Sequence, residues 1–261
     1  MEALEGAVRF FRDTCLRDAI RRHLYLILIA ITVCGSIVKE FCPLPDSYLN
    51  NKRNVLNVYF VKVAWGWTLW LLLPFIAITN FSLTRNIKEV LRRMTSLLVG
   101  TAVWYTCTQF FLFIENLTGN CYNSTALEVI LEQGSRRECT IGGGFWYGFD
   151  ISGHSFLLPY CVLLIVEETA VMHDLKLDRN RKMDVLISVL FVLLGILSII
   201  FIWMYLCTAL YFHEVDQKLF GTAFGLLGWY GTYKSWYTLQ YSPGLPPKNT
   251  FVNRKLKHYK Q

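Results

Sequence analysis

Two histidines of this 261-residue chain, His154 and His213, are the residues best suited to carry out chemistry together. His154 follows the turn-like stretch 148–153, where the first turn of a helix would offer amide N–H groups and a positive dipole end to an anion. His213 ends a long apolar run. Two imidazoles facing one such pocket suit phosphoryl transfer, in which one attacks phosphorus and the other protonates the leaving oxygen. Alternatively, each histidine is only a polar cap at a membrane–water interface.

The composition indicates which elements must position these histidines. Hydrophobic residues make up 54% of the chain, aromatic residues 15% and charged residues only 17%, whereas soluble domains are about 25% charged. A bilayer core about 30 Å thick needs about 20 helical residues per span. The sequence therefore predicts an all-α, polytopic membrane protein with six transmembrane helices, at 24–41, 58–79, 94–114, 155–173, 185–212 and 219–239.

The first and last of these spans each have a competing interpretation. The first resembles a signal peptide, but acidic residues precede it and no small-residue cleavage site follows, so we expect a retained anchor. The last contains Lys234 and several glycines, so that a small-residue packing face or a re-entrant segment competes with a plain span.

The distribution of lysine and arginine predicts the orientation. Four stretches that lie on one face hold 18 of the 26 basic residues: 1–23, 80–93, 174–184 and 240–261. Because positive residues resist translocation, this face is expected to be cytosolic. The predicted organisation is a cytosolic segment 1–23, a six-helix domain 24–239 with a luminal loop 115–154, and a cytosolic basic tail 240–261. Cytosolic loops facing anionic lipid explain the net charge of +7 without nucleic-acid binding.

The predicted luminal loop contains candidate modification sites. Cys121 and Cys139 could pair in an oxidising lumen, or remain free thiols. Asn116 and Asn123 each begin a glycosylation sequon, and Asn123 is the better candidate because Asn116 lies close to the membrane.

Basic residues on the luminal side break the charge rule. Lys52 and Arg53 lie in the predicted luminal segment 42–57, and Lys62 is predicted one or two turns inside the second span. Phosphate is a natural partner for such cations. Solvated loop charge is the alternative for Lys52 and Arg53, and Lys62 could equally pair with Glu40 or Asp150.

Glu167 and Glu168 are acidic residues inside the fourth predicted span. At the helical rise they lie about 18–20 Å from His154, too far to share its chemistry. They could bind a polar lipid head group, although pairing with another helix is favoured.

Several other classes of protein are excluded by what the sequence lacks. Five scattered histidines cannot supply a membrane desaturase, and Ser152 does not stand on the strand–turn–helix elbow of a serine hydrolase. The sequence has no phosphate-binding P-loop, CxxC pair or dinucleotide fingerprint. No metal or other cofactor is predicted, and protein partners cannot be inferred from the sequence.

Three long strings carry a resemblance to a known family: PLPDSYLNNKRNVLNVYFVK at 43–62, FWYGFDISGHSFLL at 145–158 and SPGLPP at 242–247. They strongly resemble the fat storage-inducing transmembrane proteins, and the likeness extends over essentially the whole chain. The resemblance implies a six-span endoplasmic reticulum protein that supports lipid droplet formation and has a helical bundle similar to that of lipid phosphate phosphatases.

The resemblance also implies an activity and a site. The expected reaction is cleavage of fatty acyl-coenzyme A to acyl 4′-phosphopantetheine and adenosine 3′,5′-bisphosphate, and triacylglycerol and diacylglycerol are expected ligands. The phosphatase Ser-Gly-His element matches Ser152, Gly153 and His154, whose imidazole would protonate the leaving group, and His213 would be the nucleophile.

Other phosphatase positions are occupied by different residues here. Cys207 stands where an arginine precedes the nucleophile, and Gln217 stands where an aspartate follows it. Lys52 and Arg53 then become the candidate phosphate clamps, and Asp216 becomes the candidate orienting partner of His213. A second hypothesis is a non-catalytic protein that partitions triacylglycerol and diacylglycerol into droplets.

Overall fold

The computed structural model describes residues 2–42, 44–45, 47–123, 135–173, 175, 177 and 181–247. Eight α-helices are present in this part of the chain: α1 Glu2–Cys15, α2 Asp18–Phe41, α3 Ala64–Thr84, α4 Ile87–Thr118, α5 Arg136–Ile141, α6 Gly153–Thr169, α7 Lys182–Tyr211 and α8 Val215–Trp229. Two short antiparallel strands, β1 Asn120–Tyr122 and β2 Phe145–Tyr147, pair with Cys121 opposite Trp146. The remaining helical turns are short: Tyr48–Asn50, Asn57–Val61, Ala170–His173, Tyr230–Ser235 and Trp236–Thr238.

Five helices are long and apolar enough to cross a membrane, and they confirm the predicted all-α, multi-pass architecture. They are α2, α3, α4, α6 continued to His173, and α7. The sixth predicted span, 219–239, corresponds to α8 and the turns after it, which are not among these five. A sixth span therefore stays a prediction.

The second span begins later than predicted. Residues 57–61 form a π-helical turn, residues 62 and 63 form a turn, and α3 begins only at Ala64. Lys62 was expected inside the span but lies exposed before it. The start of the second span was predicted too early because residues 58–63 are mostly apolar. Hydropathy does not indicate where the hydrogen-bond pattern of the backbone changes.

Helix α6 is the centre of the bundle. Its most apolar window is 89% buried, whereas the corresponding windows of the other four spans are 17–50% buried. It contacts α2, α3, α4, α7 and α8. A helix that is apolar on every face has to be surrounded by others, and this position fixes where both ends of α6 stand.

Glycines bring α8 into backbone contact with α6. A Cβ atom added at Gly221 would stand 2.5 Å from the carbonyl oxygen of Ser152, and one at Gly225 would stand 2.6 Å from that of Phe156. Only glycine permits this approach. The predicted small-residue packing face is therefore real, and it seats the beginning of α8 on the beginning of α6.

The first helix, α1, is amphipathic and packs against α7. Phe11 is buried at this contact, where its ring lies edge-on to Phe191 and where a Cβ atom at Gly195 would collide with it. The opposite face of α1 carries exposed charged residues, including Glu5 and Arg9.

We call the two ends of the bundle the histidine end and the glutamate end. The histidine end contains the first turn of α6 and the last turn of α7, and the glutamate end contains the last turn of α6, with Glu167 and Glu168. At the histidine end, a disulfide joins Cys121 of β1 to Cys139 of α5. The predicted cysteine pair is thus joined, in a small unit of β1, α5 and β2 that follows α4.

Candidate active site

The structure brings His154 and His213 together at the histidine end. His154 is in the first turn of α6, and His213 comes two residues after the end of α7, which packs along α6. Both side chains are half-buried. Asp150, four residues before His154, has Oδ2 3.8 Å from Nδ1 of His213, and the N–H of Ser152, two residues before His154, donates to the carbonyl oxygen of Gln217 at 3.1 Å. The segments that carry the two histidines, which are 59 positions apart, therefore meet at this end of the bundle.

His213 occupies a strained turn between α7 and α8. Its backbone has φ of 53°, in the left-handed region that a residue with a side chain adopts at a cost of about 1–2 kcal/mol. Two contacts hold this conformation. The Lys39 ammonium donates to the His213 carbonyl oxygen at 2.6 Å, and a capping box between Glu214 and Gln217 starts α8 directly afterwards. Strain of this kind persists only where the surrounding structure enforces it.

One ring nitrogen of His213 is engaged by the protein. Nδ1 lies 3.2 Å from Oε1 of Gln217 and 3.8 Å from Oδ2 of Asp150. The Asp150 side chain is 58% exposed, so this charge contact is weakened by solvent. With Nδ1 facing these oxygens, Nε2 is the ring nitrogen available for attack on a substrate.

Asp216 does not occupy the orienting position predicted for it. Its carboxylate accepts the backbone N–H of Gln217 at 2.8 Å, and Gln217 and Asp150 face the His213 ring instead. The reason is geometric. Because α8 begins only at Val215, residue 217 is the one that turns back towards His213.

Ser152 builds the helix start on which His154 stands. It is completely buried, its hydroxyl accepts the backbone N–H of Ser155 as the N-cap of α6, and its own N–H donates to the carbonyl oxygen of Gln217 at 3.1 Å. Both groups are therefore used within the protein, and the predicted contact of Ser152 with substrate gains no support. Gly153 is exposed and faces open space.

Two lysines place positive charge on the site. Lys52 and Lys62 both act electrostatically on His154, and both are exposed. The Asn57 amide fixes the loop by donating to the Lys52 carbonyl oxygen at 2.6 Å. From the sequence, Lys62 could bind phosphate or pair with Glu40 or Asp150. Within the described residues the structure gives it no ion pair.

Arg53, the other predicted clamp, lies beside Lys52 and is exposed. Its backbone N–H donates to the side chain of Asn51, but no contact joins its guanidinium to either histidine in the described part of the chain. Its role as a clamp stays a prediction.

A buried cation near His213 was missed by the sequence analysis. Lys218 is fully buried and donates to the carbonyl oxygen of Ala209 at 2.7 Å, in the last turn of α7. Burial, together with the charge of Lys39, lowers the pKa of Lys218 to about 8. The last-turn carbonyl groups of a helix lack partners within the helix, so Lys218 and Lys39 both secure the end of α7 that leads into His213. Four of the five residues before Lys218 are polar or charged, so nothing in the local sequence indicated that Lys218 would be enclosed.

The glutamate end is built differently. Glu168 accepts hydrogen bonds from Arg93 at 2.6 and 2.9 Å and from the Tyr233 hydroxyl at 2.6 Å. Glu167 accepts from Arg21 at 2.9 Å and from Lys234 at 2.5 Å. Pairing with other helices, the alternative favoured from the sequence, is confirmed.

The sequence analysis predicted no metal site, and it predicted glycosylation at the Asn123 sequon. Searched over the residues that the structure describes, no three His, Cys, Asp or Glu side chains are grouped so as to hold a metal ion. Asn123 follows β1 and is half-buried, but Ser124 and Thr125 of its sequon lie outside the described residues. Glycosylation there stays a prediction.

Comparison with known proteins places the chain in a family. The family model described as "Fat storage-inducing transmembrane protein" matches residues 45–190, which include His154. Proteins named "Acyl-coenzyme A diphosphatase FITM2" from Mus musculus and Homo sapiens are 57% and 56% identical over 262 residues, covering all of this chain and all of each relative. "Fat storage-inducing transmembrane protein 1" from Homo sapiens is 36% identical, over 95% of this chain and 83% of the relative. No solved structure matches the chain. With more than half of the chain inside the family model and relatives matching it from end to end, the protein belongs to the fat storage-inducing transmembrane protein family.

Proposed function

We propose that this protein is a fatty acyl-coenzyme A diphosphatase, which hydrolyses the phosphoanhydride of its substrate to acyl 4′-phosphopantetheine and adenosine 3′,5′-bisphosphate. The observation that carries this proposal is the meeting of the His154 and His213 segments at one end of the bundle, where Asp150 lies 3.8 Å from Nδ1 of His213 and the N–H of Ser152 donates to the carbonyl oxygen of Gln217. The printed name of the relatives at 56–57% identity supports the same substrate.

The geometry assigns a role to each histidine. Nε2 of His213 attacks one phosphorus atom of the diphosphate, forming a P–N bond as the bridging P–O bond breaks. His154 donates a proton to the departing bridging oxygen. Water then attacks the phosphorus, His154 takes its proton, and the P–N bond breaks with return of the electron pair to His213. The net reaction consumes one water molecule and regenerates both imidazoles.

Positive charge at the histidine end fits a diphosphate. Lys52 and Lys62 act on His154 and have no ion-pair partner among the described residues, so an anion would meet them without displacing a carboxylate. The amide groups of the first turn of α6 add a positive dipole end at the same place. The acyl chain of the substrate would remain among the apolar helices while its head group occupies the histidine end.

The proposed location is the endoplasmic reticulum membrane, with both termini cytosolic and the histidine end luminal. The basic residues concentrated in the predicted cytosolic stretches support this orientation. The disulfide between Cys121 and Cys139 supports it as well, since disulfides persist in oxidising compartments. In this position the enzyme would act on membrane-associated acyl-coenzyme A and thereby support lipid droplet formation.

Binding of triacylglycerol and diacylglycerol is the second candidate function. The family description "Fat storage-inducing" favours a role in neutral-lipid handling. Many large apolar side chains also face outward from α3, α4 and α7, among them Trp70, Leu98 and Trp203. This function needs no nucleophile, so histidine variants separate it from hydrolysis.

Cleavage of oleoyl-coenzyme A by detergent-purified protein tests the proposal. We expect His213→Ala and His154→Ala each to lower the rate by at least about 100-fold, the lower range for general acid–base and nucleophilic catalysis. His23→Ala is the matched control, because His23 lies at the start of α2 and bonds to the Ala19 carbonyl oxygen. Equal turnover in all four proteins would overturn the mechanism. Unaltered triacylglycerol binding in inactive variants would assign both functions to the same chain.

A further inference from the structure

We propose that Gln217 is a positioning residue that fixes the tautomer and orientation of His213, and that it does so as a neutral group while Asp150 supplies negative charge from the other side. The inference rests on the proposed function, because it describes how the nucleophile of that reaction is prepared. It stands on hydrogen-bond geometry at the junction of α7, α8 and α6.

The side-chain oxygen of Gln217 faces the His213 ring. Oε1 of Gln217 accepts the backbone N–H of Glu214 at 3.3 Å, as the returning half of the capping box at the start of α8. A backbone N–H can only donate. The amide oxygen, and not its NH2 group, is therefore directed at this corner, and the same oxygen lies 3.2 Å from Nδ1 of His213.

This contact fixes the tautomer of His213. An amide oxygen is an acceptor only, so Nδ1 of His213 must carry the proton in this contact. In the neutral imidazole, Nε2 then holds the lone pair. A nucleophile that attacks through Nε2 requires this arrangement, and the capping box imposes it before any substrate arrives.

Gln217 also contacts the segment that leads into His154. The backbone carbonyl oxygen of Gln217 accepts the N–H of Ser152 at 3.1 Å, two residues before His154. Gly221, one turn later in α8, lies directly on the Ser152 carbonyl. Gln217 thus contacts His213 through its side chain and the segment of His154 through its main chain, and it sets the distance between acid and nucleophile.

The charge around His213 does not come from Gln217. Asp150 approaches Nδ1 at 3.8 Å from the segment before α6, and Lys39 of α2 reaches the His213 carbonyl oxygen. The charged and titratable groups facing this turn from the packed elements are Lys39, Asp150, His154, Glu214, Asp216 and Lys218. Replacing the neutral amide of Gln217 by a carboxylate therefore adds a negative charge in direct contact with the ring.

Two substitutions separate positioning from a merely structural role. Gln217→Leu removes the acceptor, and we expect kcat for oleoyl-coenzyme A to fall about 10- to 100-fold with KM within about twofold, since misorientation of a reacting group by about 1 Å costs up to about 100-fold. Gln217→Glu keeps the acceptor and the capping box, and should fold and regain activity. Its added charge raises the pKa of His213, so the acidic limb of the pH–rate profile should move up by about one unit. If Gln217 served only to cap α8, the acidic limb of the pH–rate profile would not move.

A second readout works without turnover. The rate at which diethyl pyrocarbonate modifies His213, followed by peptide mass spectrometry across pH, reports when the imidazole becomes neutral. We expect the midpoint to rise in Gln217→Glu and to stay unchanged in Gln240→Leu, a control at an exposed glutamine of the glutamate end. An unshifted midpoint in Gln217→Glu, or wild-type kcat in Gln217→Leu, would overturn the inference. Absence of cleavage by the wild-type protein would count against the proposed function alone, because the labelling result stands by itself.

Discussion

Charged groups are arranged differently at the two ends of helix α6. At the glutamate end, Glu168 and Arg93 are paired, with side chains only 1% and 3% exposed. At the histidine end, Lys52 and Lys62 are exposed and act electrostatically on His154, one of the two half-buried histidines. One helix thus joins a region where buried charges satisfy one another to a region where two exposed lysines, Lys52 and Lys62, have no ion-pair partner among the described residues.

The difference shows which charges stabilise the fold and which are available to bind a ligand. A buried charge without a partner is expensive, so Glu167 and Glu168 have to be matched by cations from other elements. Arg93 comes from α4, Arg21 from α2, and Lys234 from the turn after α8. These bonds hold three segments to the last turn of α6. Exposed cations cost little to leave unpaired, and an anionic substrate can bind them.

The largest expected effect is at the glutamate end. Arg93→Met leaves Glu168 buried without its cation, and we expect a loss of about 3–5 kcal/mol in the free energy of unfolding. Thermal unfolding in detergent, with the yield of folded protein, measures it. Arg92→Met is the matched control, because Arg92 is half-exposed and forms an ion pair with Glu89, an interaction worth about 0–1 kcal/mol.

A double variant checks the cause. In Arg93→Met/Glu168→Leu the unpaired carboxylate is gone, so much of the lost stability should return even though Tyr233 loses its partner. If the double variant is as unstable as the single one, the glutamate end is stabilised by packing of the Arg93 aliphatic stem and not by its charge.

The amino-acid sequence predicts that these helices exist, but it does not predict where every helix begins and ends. Long apolar runs predicted α2, α3, α4, α6 and α7 because a bilayer demands about 20 apolar residues per crossing. Helix α4, however, extends over Ile87–Thr118, well beyond the predicted 94–114, since polar residues outside the membrane continue the helix. Hydropathy reports the membrane, whereas hydrogen bonding and capping decide where a helix starts.

The candidate site was predictable to a similar degree. That His154 and His213 converge followed from placing both on one face of the membrane, and this needed only helix count and charge distribution. The choice of Gln217 over Asp216 needed the positive φ of His213 and the start of α8 at Val215. The partners of Glu167 and Glu168 likewise depend on which helices become neighbours, and one sequence without the fold does not specify this.

A smaller effect is expected at the histidine end, where the positive φ of His213 lowers stability locally. His213→Gly should be more stable than His213→Ala by about 1 kcal/mol, because glycine adopts positive φ without strain. Both variants lack the nucleophile, so neither should cleave oleoyl-coenzyme A, and the comparison isolates the backbone.

Arg85 provides the reference for this measurement. It has the same φ of 53° but caps α3 at an ordinary helix-to-helix turn. Arg85→Gly and Arg85→Ala should differ by a similar amount, while both keep full activity. A clear gain at position 85 with no gain at position 213 would mean that the turn at the nucleophile is relaxed, and that Lys39 and the capping box hold no strain there.

The smallest expected effect compares both ends in a single salt titration. Raising the ionic strength from about 0.15 M to about 1 M shortens the Debye length from about 8 Å to about 3 Å. Exposed Lys52 and Lys62 should then attract the diphosphate less, and we expect KM for oleoyl-coenzyme A to rise about threefold, or about 0.6 kcal/mol. Lys52→Gln should raise KM at low salt and reduce this dependence. The Arg93–Glu168 pair is shielded from ions by burial, so the unfolding midpoint should stay constant across the titration. The opposite result is a KM that does not change with salt and an unfolding midpoint that falls. It would reverse the assignment of the two ends, because the exposed cations would then not bind the ligand and the buried pair would be accessible to solvent.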